Sequence, residues 1–486
     1  MDNIRNQIIK GSLWIAIAKY SGIVVQIGIS AILARLILPS AFGTIAVAMV
    51  ILHFLNILAD IGIGPAVVQY KQLTKHHLDS LFTLNIYIGL ALALVLFGCS
   101  GLIADFYGDI VLVRVCEAMS LVILFNSLNV VPNALMRKDK RFKTIALRTL
   151  FFQVTSGAIA IWGAFRGWGI YALLVSPVLT AIGVFCVNYY NYPMKYVARM
   201  SKKALAMVSS YSFYQFAFSF CNYFSRNLDK LIIGKYFSLT QLGYYEKSYH
   251  LMVLPLQNVT FVIEPVLHPI LSSLQDNPSE LCHNNRKLAV TIANISFPIG
   301  LILYFCSGEI IRIIYGSQWD AAIPVFSILA LSLPLQMIQS TSGAIYQAAG
   351  KTKHMFYNGI VNTLSTVVGF IVAASYFGTL ESMAWAWDIT LLFNFILSYF
   401  VIHHFTFKQQ FIPFMTSLLK PLANAFFVFF FLNALQSVLT MNNIFMMLGL
   451  KVIVITLLTV LFALLFCQYN AFAFIPLFYK HTKVTK

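Results

Sequence analysis

Residues 226–250 read RNLDKLIIGKYFSLTQLGYYEKSYH. The stretch reads as the end of one membrane-spanning helix, a tight turn and the start of the next. Arg226, Asp229 and Lys230 fall within five positions, ahead of apolar Leu231, Ile232 and Ile233. The run before them, 210–225, is almost uncharged and rich in aromatic residues. A charge facing lipid costs several kcal/mol, so these side chains belong inside a helix bundle or against water. At helical spacing Arg226 shares a face with Asp229 (i+3) and Lys230 (i+4). The local sum is one net positive charge, and the turn adds Lys235.

A second copy of the turn lies 200 residues earlier. Residues 34–43, ARLILPSAFG, align with residues 234–243, GKYFSLTQLG. Each copy has a small residue, then a cation (Arg35 or Lys235), then an apolar residue and a glycine seven and eight positions after that cation. The copies follow the first and the seventh expected helices. That placement points to a duplicated bundle with charged walls, a plan common among transporters.

The rest of the chain agrees. Of 486 residues, 59% are hydrophobic and 10% charged, with mean hydropathy +0.79. A soluble domain carries roughly 25% charge. Apolar runs of about 20 residues, the length that crosses a bilayer, recur throughout. The expected spans are 12–34, 42–64, 80–103, 111–133, 144–165, 169–190, 210–234, 242–265, 288–307, 321–348, 355–377, 382–402, 414–436 and 444–467. The expected fold is therefore an all-α polytopic membrane protein of about 14 helices. Its expected parts are an N-terminal lobe (1–190), a cytoplasmic linker (191–209), a C-terminal lobe (210–402), and two further helices with a tail (403–486). Assigning loops alternately to two sides puts 22 Lys and Arg on the side of the N-terminus and five on the other: Arg35, Arg114, Arg166, Lys235 and Arg312. By the positive-inside rule both termini are cytoplasmic. The same asymmetry accounts for the net charge of +17 without nucleic acid. The loop MRKDKRFK (136–143), with Arg148 grouped beside it, reads first as a topology determinant and second as a contact for phosphate headgroups. The seven cysteines include no CxxC pair and read as reduced packing residues. The N-terminus lacks a small-residue cleavage site and reads as a retained first span.

Ionisable residues inside or at the edge of spans are the candidate functional groups. They are Lys19, Asp60, Glu117, Arg226, Asp229, Lys230, Glu246, Lys247, Glu264, Asp388 and Lys420. Lys451 lies near a helix end and is expected to snorkel to the interface. Arg226, Asp229 and Lys230 form the strongest cluster: either a structural Arg–Asp pair with a spare Lys, or a site for an anion. Glu246 and His250 stand at i, i+4 and are able to pair. Asp60 precedes Gly62, Gly64 and Pro65, which break its helix. It reads as a helix-ending carboxylate or as a coupling-ion site. Asp388, in AWAWD, reads as a counter-charge. No P-loop, HExxH or membrane-edge DxD is present, and no long extramembrane loop carries paired carboxylates, so no enzyme is indicated.

Five segments carry a family resemblance: GSLWIAIAKYSGIVVQ (11–26), ARLILPSAFGTIAV (34–47), LADIGIGPAVVQ (58–69), RNLDKLIIGKYFSLTQLGYYEKSYHL (226–251) and YGSQWDAAIPVFSILAL (315–331). In order and spacing they resemble the Wzx-like flippases, the polysaccharide-transport branch of the multidrug/oligosaccharidyl-lipid/polysaccharide exporter superfamily. Gly316 and Trp319 match that family's turn before helix 10. The resemblance implies a two-lobed, V-shaped, ATP-independent alternating-access carrier in the bacterial cytoplasmic membrane. Its substrate would be an undecaprenyl-pyrophosphate-linked oligosaccharide, moved to the outer leaflet for surface polysaccharide synthesis. Cavity cations would meet the pyrophosphate, and Arg35, Arg226, Lys230 and Lys19 are the candidates. Arg and Lys suit so dense an anion. Asp60, Asp229, Glu246 and Asp388 would be counter-charges or would couple transport to H⁺ or Na⁺. No cofactor or metal is implied. The partners implied are the lipid bilayer and the polysaccharide polymerase machinery, and one bundle of this size suffices as a monomer. A drug exporter of the same superfamily is the alternative, though its cationic substrates call for an acidic cavity. A membrane-embedded glycan transferase or polymerase is a third reading.

Overall fold

The computed structural model describes residues 2–60, 62–70, 72–198, 200–201, 223, 226–272, 277–435 and 443–466. Among them are helices and turns and no strand. Among the described residues, twelve helical segments are long and apolar enough to cross a membrane. In lipid every backbone polar group needs an internal partner, and the helix supplies one. Two expected spans are not among the twelve. The seventh (210–234) lies largely outside the described residues; of it, 223 and 226–234 are described and are helical. The eighth (242–265) falls within one 34-residue helix, Leu239–Ser272.

The helices in order are α1 (Asp2–Leu36), α2 (Pro39–Asp60), α3 (Ile63–Gln69), α4 (Lys75–Gly98), α5 (Ser100–Tyr107), α6 (Val111–Lys138), α7 (Phe142–Phe165) and α8 (Ile170–Asn191). They continue with α9 (226–236), α10 (Leu239–Ser272), α11 (Pro278–Phe305), α12 (Ser307–Ile314), α13 (Ile323–Gln339), α14 (Ser342–Ala348), α15 (Thr352–Val372), α16 (Leu380–Val401), α17 (Ile412–Leu435) and α18 (Ile444–Phe466).

Several ends follow local chemistry. The Thr74 hydroxyl accepts from His77 N while His77 Nδ1 accepts from Thr74 N, a reciprocal cap on α4. Asn277 caps α11 by accepting from Glu280 N, with Pro278 in the first turn. The second expected span, drawn to residue 64, stops at Asp60. Gly62 takes a left-handed φ of 77°, and the chain restarts as α3. Asp60 Oδ1 accepts the Gly64 N–H at 2.8 Å, so this carboxylate caps the restart. Gly64 and Pro65 lie inside α3 rather than breaking a helix.

The chain divides into two compact units. The first comprises Met1–Lys247, Ile314–Ala321 and Asn362–Met383. There α6 is the axle: α2, α4 and α8 pack on it, and α1 lies against α7. Its core is a cluster around Leu52, Val115, Met119 and Ile123, with a second around Ile63, Val67, Leu81 and Val131. The second unit comprises Ser248–Ile313, Ala322–Val361 and Ala384–Lys486, with α11 at its centre. Gly300 on α11 leaves room for Pro334 of α13, where an added Cβ would lie only 3.2 Å away. Small residues allow such close helix approaches. Leu301 and Phe305 of α11 pack with Val428, Leu432 and Ile455 of α17 and α18.

Two sequence readings change. Lys451 does not snorkel. It is buried, its ammonium donating to the Phe305 carbonyl and pairing with Glu309. Both partners sit at the end of α11 or just beyond it, where unpaired carbonyls attract a cation. Arg148, grouped with the basic loop, lies inside α7 and is buried.

Candidate functional site

The two copies of the turn meet within the first unit. A Cβ added at Gly43 would fall 1.7 Å from the Leu239 carbonyl oxygen, and one at Gly243 would fall 2.1 Å from that of Pro39. Gly43 aligns with Gly243, and Pro39 with Leu239. The contact is therefore reciprocal, residue i on j and j on i, as in a two-fold interface. Only glycine admits backbones this close, which gives the repeated glycine of the motif its physical cause.

A third segment from the sequence pattern docks on the same place. Gly316 turns the chain with φ 95°. The Trp319 indole then donates to the Ala34 carbonyl at 2.8 Å, and the Gln318 amide donates to the same oxygen. Phe42, Tyr244 and Tyr315 surround the indole, with ring centroids 5.3, 5.8 and 5.6 Å away. Lys247 completes the group. Its ammonium donates to Ser30 Oγ at 2.7 Å and lies 4.2 Å from the Phe42 ring centre and 5.2 Å from that of Tyr315. Aromatic faces hold a cation well where water is scarce.

The charged cluster lies on the facing stretches of α9 and α10. Asp229 is fully buried, and its carboxylate accepts from the Tyr245 hydroxyl at 2.8 Å and from the Lys230 N–H at 2.8 Å. Lys230 forms a 2.7 Å ion pair with Glu246, with side chains 12% and 28% exposed. His53 of α2 adjoins that pair. Thus Lys230 takes Glu246, and Asp229 takes a tyrosine. Arg226 is exposed and forms no ion pair among the described residues. Among the other candidates, Arg35 ends α1 exposed, its side chain passing over Gly316. Lys19 is half-buried on α1. Asp60 serves α3 as described. Asp388 belongs to the second unit. Its carboxylate is buried beside the Ser332 hydroxyl, which also lies within reach of the Leu329 carbonyl. The first unit therefore brings together Arg226, Asp229, Lys230 and Glu246 along α9 and α10.

Sequence reasoning named Lys247 without a role and did not single out Tyr245 as a partner. The signal for Tyr245 was weak: it precedes Glu246, so the two cannot share a helix face, yet both reach α9.

Among the described residues the architecture is all-helical, with many candidate spans and charges paired between helices, which is the fold of a polytopic membrane protein. The chain belongs to the polysaccharide biosynthesis protein family, whose model matches residues 32–324, more than half of the chain. Among its relatives is the teichuronic acid biosynthesis protein TuaB of Bacillus subtilis, 24% identical over 425 residues and covering 87% of each chain. Another is the lipopolysaccharide biosynthesis protein WzxC of Escherichia coli, 25% identical over 408 residues, 82% of this chain and 81% of that one. Among solved structures, the fold is similar to the lipid II flippase MurJ in an inward closed conformation. The TM-score is 0.74 at 17% identity, over 94% of this chain and 99% of that one. An inward-facing multidrug transporter of the MATE family matches with TM-score 0.60 at 13% identity, over 78% and 94%.

Proposed function

We propose that the protein is a lipid-linked oligosaccharide flippase that carries an undecaprenyl-pyrophosphate-linked glycan repeat unit across the membrane for surface polysaccharide synthesis. Family membership and the names of the relatives point to polysaccharide export. The observation that carries the chemistry is Arg226, an exposed cation without an ion pair among the described residues, one turn from the Lys230–Glu246 pair. A pyrophosphate is the anion that such a cation would meet, with Glu246 yielding Lys230 when the anion arrives. Arg35 and Lys19 extend the basic wall. Asp60 and Asp229 hold balancing charge, and Asp388 is the coupling carboxylate of its own unit, with H⁺ or Na⁺ as the coupled ion.

Residues 1–190 and 210–402 are read as the two copies that alternate access without ATP, on the strength of the repeated turn. The Gly43–Gly243 seam lies at the ends of the turns that the charge rule places outside, and would open to release the glycan. The basic loops support an orientation with both termini on the cytoplasmic side, and the bacterial relatives support a bacterial cytoplasmic membrane. A monomer suffices, and the polysaccharide polymerase is the natural recipient of the product.

The test is transbilayer movement of a fluorescent undecaprenyl-pyrophosphate oligosaccharide in liposomes. Wild type would move it without ATP, and Arg226→Ala and Lys230→Ala, shown folded by melting, would lose at least about tenfold in rate, the equivalent of one lost charge-assisted contact. Folded variants with wild-type rates would place the anion elsewhere. Movement of cationic dyes instead of the lipid would make the protein a drug exporter.

A further inference from the structure

The buried guanidinium of Arg148 is left half-satisfied by the fold. The residue is 8% exposed. One nitrogen, Nη2, donates to Asn133 Oδ1 at 2.8 Å. Nε and Nη1 are buried without any hydrogen-bond partner. The charge that acts on it is a second cation, Arg137, one turn beyond Asn133 on α6. No carboxylate pairs with Arg148 among the described residues. A buried charge without a partner is expensive, and leaving it beside a like charge is more so. Such an arrangement persists where something else supplies the anion.

The surroundings hold the pair in place. Lys138 donates to the Val67 and Tyr70 carbonyls and so pins the end of α6 to the end of α3. Arg141 donates to Asn191 Oδ1 and lies over the Tyr192 ring. Tyr192 in turn donates to Asp139. These contacts consume two cations of the basic loop structurally, and Asp139 with them. Arg137 stays exposed and acts electrostatically on Asp60, whose Oδ1 is engaged by Gly64. Nε and Nη1 point to different sides of the planar guanidinium and leave two separate charged donors for the oxygens of a phosphate.

We infer that Arg148 and Arg137 form a phosphate-binding site at the end of the first unit that carries the basic loops, separate from the α9–α10 cluster. The ligand is a phosphate ester. Two sources have that chemistry: the headgroup of an anionic phospholipid in the adjacent leaflet, and the diphosphate of a polyprenyl carrier.

The experiment measures melting of the purified full-length protein in neutral detergent. It is titrated with dioctanoyl phosphatidylglycerol and, separately, with farnesyl pyrophosphate, dioctanoylglycerol being the uncharged control. At least one phosphate-bearing probe is expected to raise the melting temperature of wild type while dioctanoylglycerol does not. Stabilisation by phosphatidylglycerol alone assigns the site to a membrane lipid, and by farnesyl pyrophosphate alone to the carrier. Arg148→Met is expected to melt at or above wild type without ligand, because it removes an uncompensated buried cation, and to show no ligand shift. Arg137→Gln, at an exposed position, is expected to fold normally and need at least about tenfold more ligand for the same shift. Arg226→Ala, in the other cluster, keeps the phosphatidylglycerol response. The site is overturned if neither probe shifts wild type, if Arg137→Gln responds as wild type does, or if Arg148→Met melts lower yet keeps the full shift.

Discussion

Replacing Gly43 with alanine tests the seam directly. The new methyl would sit 1.7 Å from the Leu239 carbonyl oxygen. A close carbon–oxygen contact needs about 3.3 Å, so α2 and α10 must part by about 1.6 Å. The obstacle is backbone, which cannot swing aside as a side chain does. The cost therefore falls at the upper end of the ~1–3 kcal/mol typical of overpacking. At Gly243 the contact is 2.1 Å, requiring about 1.2 Å of separation. The two requirements are met by the same movement. Once Gly43→Ala has parted the helices, Gly243→Ala finds its space already open. The double variant should then lose little more stability than Gly43→Ala alone, a coupling of about 1–3 kcal/mol in place of additivity. Melting of wild type, both single variants and the double variant measures it. Additive losses, or either single variant melting like wild type, would refute a shared reciprocal contact.

Two further outcomes follow from buried charges. Tyr245→Phe removes a donor from the fully buried Asp229 carboxylate and should cost about 1.5–3 kcal/mol, read as lowered melting. Lys451→Met leaves Glu309 (13% exposed) without its cation and should cost about 3–5 kcal/mol. Adding Glu309→Leu should restore most of that loss, since it removes the orphaned charge; melting of wild type, the single variant and the double variant separates pairing from packing.

The spans were legible because lipid imposes a length and a polarity that survive without knowledge of neighbours. The repeated glycines at 43 and 243 were legible as a spacing, although nothing in that spacing said that the two copies touch. Pairings were not legible. Arg226, Asp229 and Lys230 share a helix face, so local geometry favours partners among themselves. The fold instead gives Lys230 to Glu246 and Asp229 to Tyr245, because α10 turns back along α9 and brings its own polar stripe within reach. Lys247 finds Ser30 from 217 positions away, and no periodicity carries such information. Lys451 was misjudged for a related reason. Nearness to a helix end implies snorkelling only if no protein covers that end, and here Phe305 and Glu309 do. Arg148 was counted with the basic loop although the expected span 144–165 contains it, and nothing in its neighbours along the chain says that it is buried against Asn133 of α6.

The link between Glu309 and Lys451 also sets an order of events during biosynthesis. The two residues are 142 positions apart, and the acid is made first. At about 5–20 residues per second, the ribosome needs roughly 7–30 s to supply the lysine. For most of that interval α11 is already synthesised while α17 and α18, which cover Leu301 and Phe305, are still to come. The carboxylate at its end must be held by water, a headgroup or an insertion factor. A nascent chain stalled before residue 451 would expose both an apolar flank and an unmatched acid, which are the features by which membrane quality control tells an unfinished protein from a finished one.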